Sequence, residues 1–397
     1  MKNKKRIFIY HYSMELGGIE RSLIDLLKAI DYSKYDIDLF LVKHEGELFH
    51  EIPNEVNLLK EDAMSYAFGS PISTLFRNKH FIIGSIRLFA KLKSVFLNIF
   101  GRNVSGEYIS QITYPRIMKY FKKQEIDYNL AISFSWPSYY VLYNVKADKK
   151  VGWVHTDYTK IYPNRKKDFN MWELLDYVIC VSEECKQTFL SIYSSLKDKV
   201  RVIENILNTS MVISKSRQQE VAFSKDKINI VSVGRYCYAK NFDNIPEICK
   251  YILEDGVDIK WYIIGYGADK ELIKQRIKEF GMEEHVILLG KKENPFPYVK
   301  ACDVYIQPSR FEGKAVAVRE AQILGKPVII TNFQNAKSQL EHGVDGWIVP
   351  LENKSCAKGI VDFLNNQELI QCIKENIQKK DYSNHEQIYK LYELMEE

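Results

Sequence analysis

The chain has 397 residues, 46% of them apolar, so it can bury a sizeable core, and its length favours two domains over one. A net charge of +5 is too small to predict nucleic-acid binding, which needs many clustered phosphate contacts. No window reaches the roughly 20 uninterrupted apolar residues of a membrane span, and no secretory leader pattern opens the chain, so a cytoplasmic protein is expected. Seven scattered cysteines without paired metal-ligand spacing predict reduced, mostly buried thiols and no metal.

The first half of the chain alternates predicted strands with predicted helices. It opens with an apolar strand at Arg6–Tyr10, a polar loop containing Gly17 and Gly18, and a helical pattern of apolar residues over 19–30. Alternation of this kind predicts a parallel sheet covered by helices on both faces. The further strands of this half are predicted at Ile37–Val42, Tyr128–Phe134, Lys150–His155 and Tyr177–Val181.

A second βα series follows a polar stretch at 205–227, which has no clear period and is predicted to be the interdomain linker. The predicted architecture is therefore α/β, with two Rossmann-like domains at 1–207 and 208–380 that face each other across a cleft. The strands of the second series are predicted at Ile228–Val233, Ile259–Ile264, Val286–Leu289, Val304–Ile306, Val328–Thr331 and Trp347–Val349.

The segment 71–103 is basic and rich in large apolar residues. It has six Lys or Arg residues and no Asp or Glu, and its apolar residues predict an amphipathic helix that lies on an anionic membrane surface. The alternative is a helix that packs on the first domain and leaves its cations in solvent. The six cations are Arg77, Lys79, Arg87, Lys91, Lys93 and Arg102.

Two glutamates eight residues apart form the main candidate site. Glu312 follows the predicted strand at 304–306, and Glu320 is placed about two turns into the next helix, so both can face one ligand. Gly313 between them allows the backbone to approach a ligand, and the N–H groups at the helix start face an anion. Carboxylates accept hydrogen bonds from vicinal hydroxyls, so the pair suits a sugar nucleotide, although solvated surface carboxylates are the alternative.

Cations and glycines follow other strands of the second half. Ligands of open α/β sheets bind beyond the carboxyl ends of the strands, where Gly234, Arg235 and Lys240 follow the strand at 228–233. Two cations there would neutralise a diphosphate leaving group, although ordinary surface cations are the alternative. Gly265 opens the turn after the next strand, and this turn is equally typical of a plain tight turn without a ligand.

Glycine, lysine and glutamate residues recur along the chain in a pattern of short motifs. The motifs are Gly17-Gly18-x-Glu20, Gly234-Arg235 with Lys240-Asn241, Gly265-x-Gly267, the run from Asp303 through Ser309-Arg310-Phe311-Glu312-Gly313, Glu320-Ala321, Gly325-Lys326-Pro327-Val328 and Gly343-x-x-Gly346-Trp347. Together they resemble the family 4 retaining glycosyltransferases of the GT-B fold, of the bacterial polysaccharide type. The similarity is strongest from Gly234 to Pro350 and thin between Gly46 and Tyr128, where such enzymes bind their acceptors.

The resemblance implies a role for each matching residue. Glu320 would accept the ribose hydroxyls of the donor nucleotide, Arg235 and Lys240 would hold its diphosphate, and Glu312 would contact the donor sugar. It also implies that the first domain binds the acceptor, that the second binds the nucleotide sugar, and that a terminal helix within 381–397 packs back on the first domain.

The same resemblance implies backbone and first-domain contacts to the donor. The N–H groups of Lys314, Ala315 and Val316 would meet the distal phosphate and the sugar, and Gly17 and Gly18 would approach the phosphates from the first domain.

His155, at the end of a predicted strand, would position the sugar through polar contacts, although a histidine that caps a local hydrogen-bond network is the alternative. Two residues depart from the family pattern. Lys314 stands where an aromatic residue is usual, beside the expected sugar, and Arg319 stands where an apolar residue is usual, just before Glu320.

The predicted function is transfer of a hexose from a nucleoside diphosphate sugar, with UDP as the expected nucleoside diphosphate, to a glycan or polyprenyl-linked acceptor. The anomeric configuration would be retained, with no metal and no cofactor, in the synthesis of a capsule or other surface polysaccharide at the inner face of the plasma membrane. A non-catalytic GT-B partner subunit and a sugar-nucleotide epimerase remain as alternatives. A nicotinamide-dependent dehydrogenase is disfavoured because the full glycine fingerprint is missing.

Overall fold

The computed structural model describes residues 4–61, 70–99, 106–313, 315–334 and 336–396. Contacts between Cα atoms divide the chain into two units: residues 1–16, 23–204 and 386–397 form the first unit, and residues 17–22 and 205–385 form the second. The chain therefore leaves the first unit after Glu204 and returns to it at Glu386. The assignment of 17–22 to the second unit differs from the contiguous first domain predicted at 1–207.

Thirteen strands are found in the part of the chain that the structure describes. They are β1 (Lys5–His11), β2 (Tyr35–Leu41), β3 (Asn57–Leu58), β4 (Asp127–Ser133), β5 (Lys146–Val154), β6 (Tyr177–Cys180), β7 (Val200–Val202), β8 (Ile228–Val233), β9 (Ile259–Ile264), β10 (Val286–Gly290), β11 (Val304–Gln307), β12 (Val328–Thr331) and β13 (Trp347–Val349).

The α-helices cover the intervening segments. They are α1 (Gly18–Ala29), α2 (Ile72–Arg77), α3 (Phe81–Ile99), α4 (Gly106–Ile117), α5 (Tyr139–Asn144), α6 (Arg165–Glu173), α7 (Glu183–Ile192), α8 (Thr209–Lys215), α9 (Ile245–Glu254), α10 (Lys270–Glu279), α11 (Phe296–Ala301), α12 (Val316–Ile323), α13 (Ala336–Gln339), α14 (Asn353–Leu364), α15 (Gln367–Lys379) and α16 (Gln387–Glu393). Across the described ranges, no helix is both long enough and apolar enough to cross a lipid bilayer.

The first unit contains a parallel sheet of seven strands in the order β3-β2-β1-β4-β5-β6-β7. Its central strand β1 is apolar on both faces, with Ile7, Phe8 and Ile9 fully buried, as expected for a strand covered by helices on both sides. The sheet and its helices form a Rossmann-like layer, which confirms the predicted α/β fold of this half.

A buried carboxylate joins several elements of the first unit. Asp168 on α6 is fully buried, and burial raises the pKa of its carboxyl even though several donors oppose the shift. Since each donor is also buried or half-buried, the loss of Asp168 would leave polar groups without an acceptor. The donors are Gln111 Nε2 at 3.1 Å, Trp136 Nε1 at 3.0 Å, Tyr158 OH at 2.5 Å, Trp172 Nε1 at 3.1 Å and Tyr193 OH at 2.8 Å.

The second unit contains a parallel sheet of six strands in the order β10-β9-β8-β11-β12-β13. The helix α9 shows why its segment folds as it does: Ile245, Ile248, Cys249 and Ile252 recur at helical spacing and are all buried, and Pro246 occupies its first turn. This second Rossmann-like unit confirms the prediction of two such domains in the chain.

Several predicted elements differ from the observed ones. The short edge strands β3 and β7 were not predicted, and β5 begins at Lys146 rather than at Lys150. The polar stretch 205–227, predicted as the interdomain linker, contains α8, whose first turn is capped by the Asn208 side chain at 2.9 Å from Met211 N.

The basic segment 71–103 also differs from its prediction. It forms two helices, α2 and α3, because Lys79 between them takes a left-handed conformation with φ of 63°. Arg102 lies outside the described residues. Of the seven cysteines, five are buried, Cys237 is half-buried and Cys372 is exposed, which confirms the prediction that they are mostly buried, and none forms a disulfide.

Candidate functional site

The candidate site lies where the strand order of the second sheet reverses direction. From β8 the chain moves outward to β9 and β10, and it then returns to place β11 on the other side of β8. Ligands of open α/β sheets bind at this switch point, outside the carboxyl ends of the two central strands. The loops after β8 and β11 are those that carry Lys240 and Glu312, so both residues lie at the expected place.

An ion pair connects these two loops. The Lys240 ammonium contacts Glu312 Oε1, and the two side chains are only 19% and 12% exposed. Ser309 Oγ donates to the same carboxylate oxygen at 2.6 Å. The structure therefore brings together the predicted cation and the predicted sugar-binding carboxylate, and it pairs them directly.

A chain of buried hydrogen bonds supports the Glu312 carboxylate. Tyr305 OH donates to Gln307 Oε1 at 2.7 Å, and Gln307 Nε2 donates to Ser309 Oγ at 3.0 Å. Ser309 then donates to Glu312, so every donor in the chain is directed toward the carboxylate. Tyr305, Gln307 and Ser309 are fully buried, which fixes the geometry of the support.

The second predicted carboxylate lies close to the same buried tyrosine. Glu320 on α12 is 9% exposed, and both Glu320 and Glu312 act electrostatically on Tyr305. The pKa of the Tyr305 hydroxyl is raised well above its usual value, mainly by burial and further by these two carboxylates. Because α12 begins at Val316, Glu320 lies little more than one turn into the helix, and the predicted two turns are wrong.

A second ion pair fixes the loop that carries Lys240. The Arg310 guanidinium forms a bidentate pair with Asp243, with N–O distances of 2.9 and 2.7 Å, and it also donates to Tyr238 O at 2.7 Å. The Arg310 N–H donates to Ala239 O at 2.8 Å. The loop after β11 thus holds the loop after β8 by main-chain and side-chain contacts.

Close backbone approach explains two of the predicted glycines. A Cβ atom on Gly265, whose φ is +154°, would lie 1.8 Å from Gly234 O. A Cβ atom on Gly234 would in turn lie 3.2 Å from the Lys240 side chain. Gly265 has no room for a Cβ atom, and at Gly234 the Lys240 side chain would have to shift by a few tenths of an ångström, so the glycines allow the loops after β8 and β9 to approach each other.

The remaining cations at this edge of the sheet are more open to solvent. Arg235 is exposed, and within the described residues its side chain has no ion-pair partner. The Lys291 ammonium, after β10, lies 4.3 Å from the ring centroid of Tyr266, between the two glycines of the turn after β9. The site therefore has positive charge on the β10 side of the Glu312 carboxylate as well.

The segment leading into α12 is held by a buried glutamine. Gln339 Oε1 accepts from the Ala315 N–H at 2.8 Å, and its Nε2 donates to Gly313 O at 3.2 Å. The Ala315 N–H would have to give up this bond to reach a phosphate, whereas Val316 is the first residue of α12. Lys314 lies outside the described residues.

Arg319, for which the sequence offered no role, lies with its Cζ 5.2 Å from the Tyr382 ring and donates to Gln322 Oε1 at 3.0 Å. Its contacts are therefore with neighbouring helix and tail residues of the second unit.

Three further predicted residues follow strands of the first sheet, near its switch point between β1 and β4. Gly17 and Gly18 follow β1, and α1 begins at Gly18, where a Cβ atom would meet nothing within 4 Å. His155 follows β5, and its Nε2 lies 3.0 Å from Phe134 O, a contact that fits the local capping alternative. Their predicted contacts with a donor stay predictions.

Sequence reasoning missed the residues that support the site. Gln307 and Ser309 lie in a segment that was predicted only as an apolar strand and a turn, and Gln339 was not considered. A polar residue at the buried end of a parallel strand is unusual, and this signal in Gln307 pointed to a buried hydrogen-bond network.

The fold and the site define a class of protein. The fold is similar to that of a variant of S. aureus TarM in complex with fondaparinux, alpha-GlcNAc-glycerol and UDP. The two structures superpose with a TM-score of 0.71 at 14% sequence identity. The alignment covers 99% of this chain and 100% of the S. aureus chain. The chain therefore has the GT-B fold.

Comparisons of sequence identify the chain more narrowly. Residues 213–380 match the family model described as glycosyl transferases group 1. The N-acetylgalactosamine-N,N'-diacetylbacillosaminyl-diphospho-undecaprenol 4-alpha-N-acetylgalactosaminyltransferase of Campylobacter jejuni is 25% identical over 390 residues, 93% of each chain. An uncharacterized glycosyltransferase of Methanocaldococcus jannaschii is 24% identical over 322 residues, 72% of this chain and 82% of that protein. Residues 213–380 of the second unit therefore match the group 1 glycosyl transferases, and the chain as a whole is similar to GT-B glycosyltransferases of family 4, as the resemblance predicted.

Proposed function

We propose that this chain transfers a hexose from a UDP-sugar to a hydroxyl of a glycan or lipid-linked acceptor, with retention of the anomeric configuration and without a metal. The observation that carries the proposal is the Lys240–Glu312 pair at the switch point of the second sheet. This pair places a cation and a hydrogen-bond acceptor side by side, where a diphosphate and the sugar attached to it would lie.

In the proposed reaction, the bond between the sugar C1 and the diphosphate oxygen breaks, and the diphosphate keeps the electron pair. Lys240 and Arg235 stabilise the charge that develops on the leaving group. The acceptor hydroxyl attacks C1 from the face that the diphosphate has left, and its proton passes to a diphosphate oxygen. No side-chain nucleophile takes part, so catalysis depends on positioning and charge stabilisation.

The two carboxylates divide the recognition of the donor. Glu320 accepts hydrogen bonds from the ribose hydroxyls, and Glu312 accepts them from the sugar. The hydrogen-bond chain from Tyr305 prevents Glu312 from turning away, so its oxygens face the ligand in a fixed orientation. Gly313 lets the backbone approach the distal phosphate and the Val316 N–H donates to it, and Gly17, Gly18 and His155, which follow β1 and β5 of the first sheet, are further proposed contacts.

The donor and acceptor classes are proposed from the relatives. The S. aureus structure contains UDP, and the C. jejuni relative is named for a diphospho-undecaprenol acceptor. We therefore favour UDP-sugars and a polyprenyl diphosphate-linked acceptor, in surface polysaccharide synthesis on the cytoplasmic side of the membrane. The second class of acceptor is a free glycan, and replacing the polyprenyl-linked sugar by a free glycan in the transfer assay below distinguishes the two classes.

Calorimetric titration with UDP, GDP, ADP and NAD, first without and then with Mg²⁺, tests the donor site. We expect one nucleoside diphosphate to bind without metal, and Glu320→Ala to abolish this binding, whereas Glu271→Ala on the exposed surface of α10 leaves it unchanged. Absence of binding by all four ligands would instead favour a non-catalytic partner subunit.

Product analysis tests the transfer itself. With a panel of UDP-hexoses and a polyprenyl diphosphate-linked sugar as acceptor, the anomeric proton coupling of the product should match that of the donor. An inverted product would contradict the retaining mechanism. Conversion of the donor sugar without any acceptor would favour an epimerase.

A further inference from the structure

Helix α3 of the first unit exposes an apolar stripe. Seven of its large apolar side chains are between 48% and 75% exposed: Phe81, Ile82, Phe89, Leu92, Val95, Phe96 and Ile99. At 3.6 residues per turn, these seven lie within roughly 140° of the helix circumference. They expose on the order of 700 Å² together, more than the roughly 300–600 Å² of the largest apolar patch on a typical soluble monomer.

Packing of the opposite face fixes the orientation of this stripe. Ile83, Gly84, Ala90 and Ser94 are buried, and a Cβ atom on Gly84 would lie 3.1 Å from the Phe76 ring of α2. The helix therefore cannot rotate to hide its apolar stripe without breaking this close contact. The stripe is a stable outer surface of the first unit.

Cations border the stripe on both sides. On the helical projection Lys91 lies beyond one edge of the stripe and Lys93 beyond the other, and both are exposed. The sequence from 71 to 99 contains no Asp or Glu. Such a pattern, with an apolar stripe between two lysines, is typical of a helix that lies in a membrane interface.

Neighbouring helices add to the positive charge. Lys167 of α6 is close enough to Arg116 of α4 and Lys93 that, after the effect of burial, both lower the pKa of its ammonium. Three helices thus bring cations to one region of the first unit. This charge is complementary to an anionic surface, and it disfavours a second copy of the chain as occupant, because two such faces would bring like charges together.

We propose that α3 is a membrane-docking surface, which lies in the plane of an anionic bilayer with its apolar stripe among the acyl chains and its lysines at the headgroup phosphates. The position of the stripe and of Lys91 and Lys93 is what a helix in this interface requires. Docking of this kind would keep the first unit at a membrane whether or not a donor is bound. It involves none of the residues proposed for sugar transfer.

Sedimentation with vesicles tests the proposal without any donor or acceptor. We expect the full chain to bind vesicles of phosphatidylcholine and phosphatidylglycerol and to bind phosphatidylcholine alone at least about tenfold more weakly. Lys91→Glu with Lys93→Glu, and separately Leu92→Ser with Phe96→Ser, should each lower the binding to anionic vesicles at least about tenfold. Matched changes on α10 of the second unit, Lys274→Glu with Lys278→Glu and Leu272→Ser, should leave it unchanged.

Two further measurements keep the test decisive. Phe96→Trp should lose fluorescence when brominated lipids are included in the anionic vesicles, which reports insertion of the helix in a protein that keeps its apolar stripe. Equal partition of wild type and the charge variant would overturn the proposal. So would a wild-type dimer in solution that becomes a monomer in Leu92→Ser with Phe96→Ser, because the stripe would then be an interface between copies.

Discussion

A single methyl group at Gly265 should separate the loops that form the candidate site. The Cβ atom of an alanine there would lie 1.8 Å from Gly234 O, and ordinary contacts begin near 3.4 Å, so the backbone must move by roughly 1.5 Å. Hydrogen bonds resist this movement on both sides. Gly234 N–H donates to Ile264 O at 3.0 Å, and Gly265 N–H donates to Gly290 O at 2.9 Å.

The expected cost follows from these contacts. Losing the two hydrogen bonds costs about 1 kcal/mol each, and an alanine at φ of +154° adds about 1–3 kcal/mol of backbone strain. The free energy of unfolding should therefore fall by about 3–5 kcal/mol. Gly281→Ala is the matched control, because its φ is +67° with nothing within 4 Å of the new Cβ, and it should cost only about 1–2 kcal/mol.

Urea unfolding and titration with UDP measure the two effects. Gly265→Ala should lower the unfolding free energy by the larger amount and weaken UDP binding at least about tenfold, because Gly234 leads directly into the loop of Lys240. Gly281→Ala should bind UDP as the wild type does. If both variants lose the same stability and both bind UDP normally, close approach of these loops does not position the site.

Three further substitutions, at Lys240, Asp168 and His342, test the candidate site, a buried carboxylate and a stacked imidazole. Lys240→Ala should lower kcat/KM by a factor that corresponds to about 2–4 kcal/mol, and an unchanged rate would remove Lys240 from the site. Asp168→Ala should lower the unfolding free energy by about 3–5 kcal/mol, since buried donors lose their acceptor, and a cost below 1 kcal/mol in urea unfolding would contradict that role. His342 stacks on Trp347, and burial lowers the pKa of its imidazole. Because the unfolded chain then binds the proton more readily than the folded chain, the unfolding free energy should fall as the pH drops below about 6.5. His342→Phe keeps a ring on Trp347 and should lose this dependence in urea unfolding at pH 5 and 7; an equal slope in both proteins would assign it to another group.

Long apolar strands were the easiest elements to predict. All eleven predicted strands are present, because a parallel strand that is buried on both faces must be apolar along its length. The edge strand β3 has only two residues, and its pattern is too short to be distinguished from a loop. The helix α8 was missed because Asn208 and its polar neighbours are as typical of a loop as of a helix start.

The sequence identified individual residues of the candidate site but not the contacts between them. Glu312 and Lys240 stand in recognisable motifs after strands, but their direct contact depends on the order of strands in the sheet, which a single sequence does not reveal. The same holds for Arg310 and Asp243, which are 67 residues apart in the chain and form a bidentate pair. Polar networks of this kind depend on tertiary packing rather than on any local pattern.

The return of the chain to the first unit at Glu386 has a consequence for its synthesis. Tyr392 of α16 stacks on Tyr35 with ring centroids 4.2 Å apart, and its hydroxyl accepts from Asp31 N–H at 3.0 Å. When translation has reached residue 204, the first unit therefore still lacks one of its helices, α16. All residues of the second unit have been synthesised at residue 385, before α16 of the first unit. The second unit can therefore finish folding before the first, although the first begins earlier in the chain.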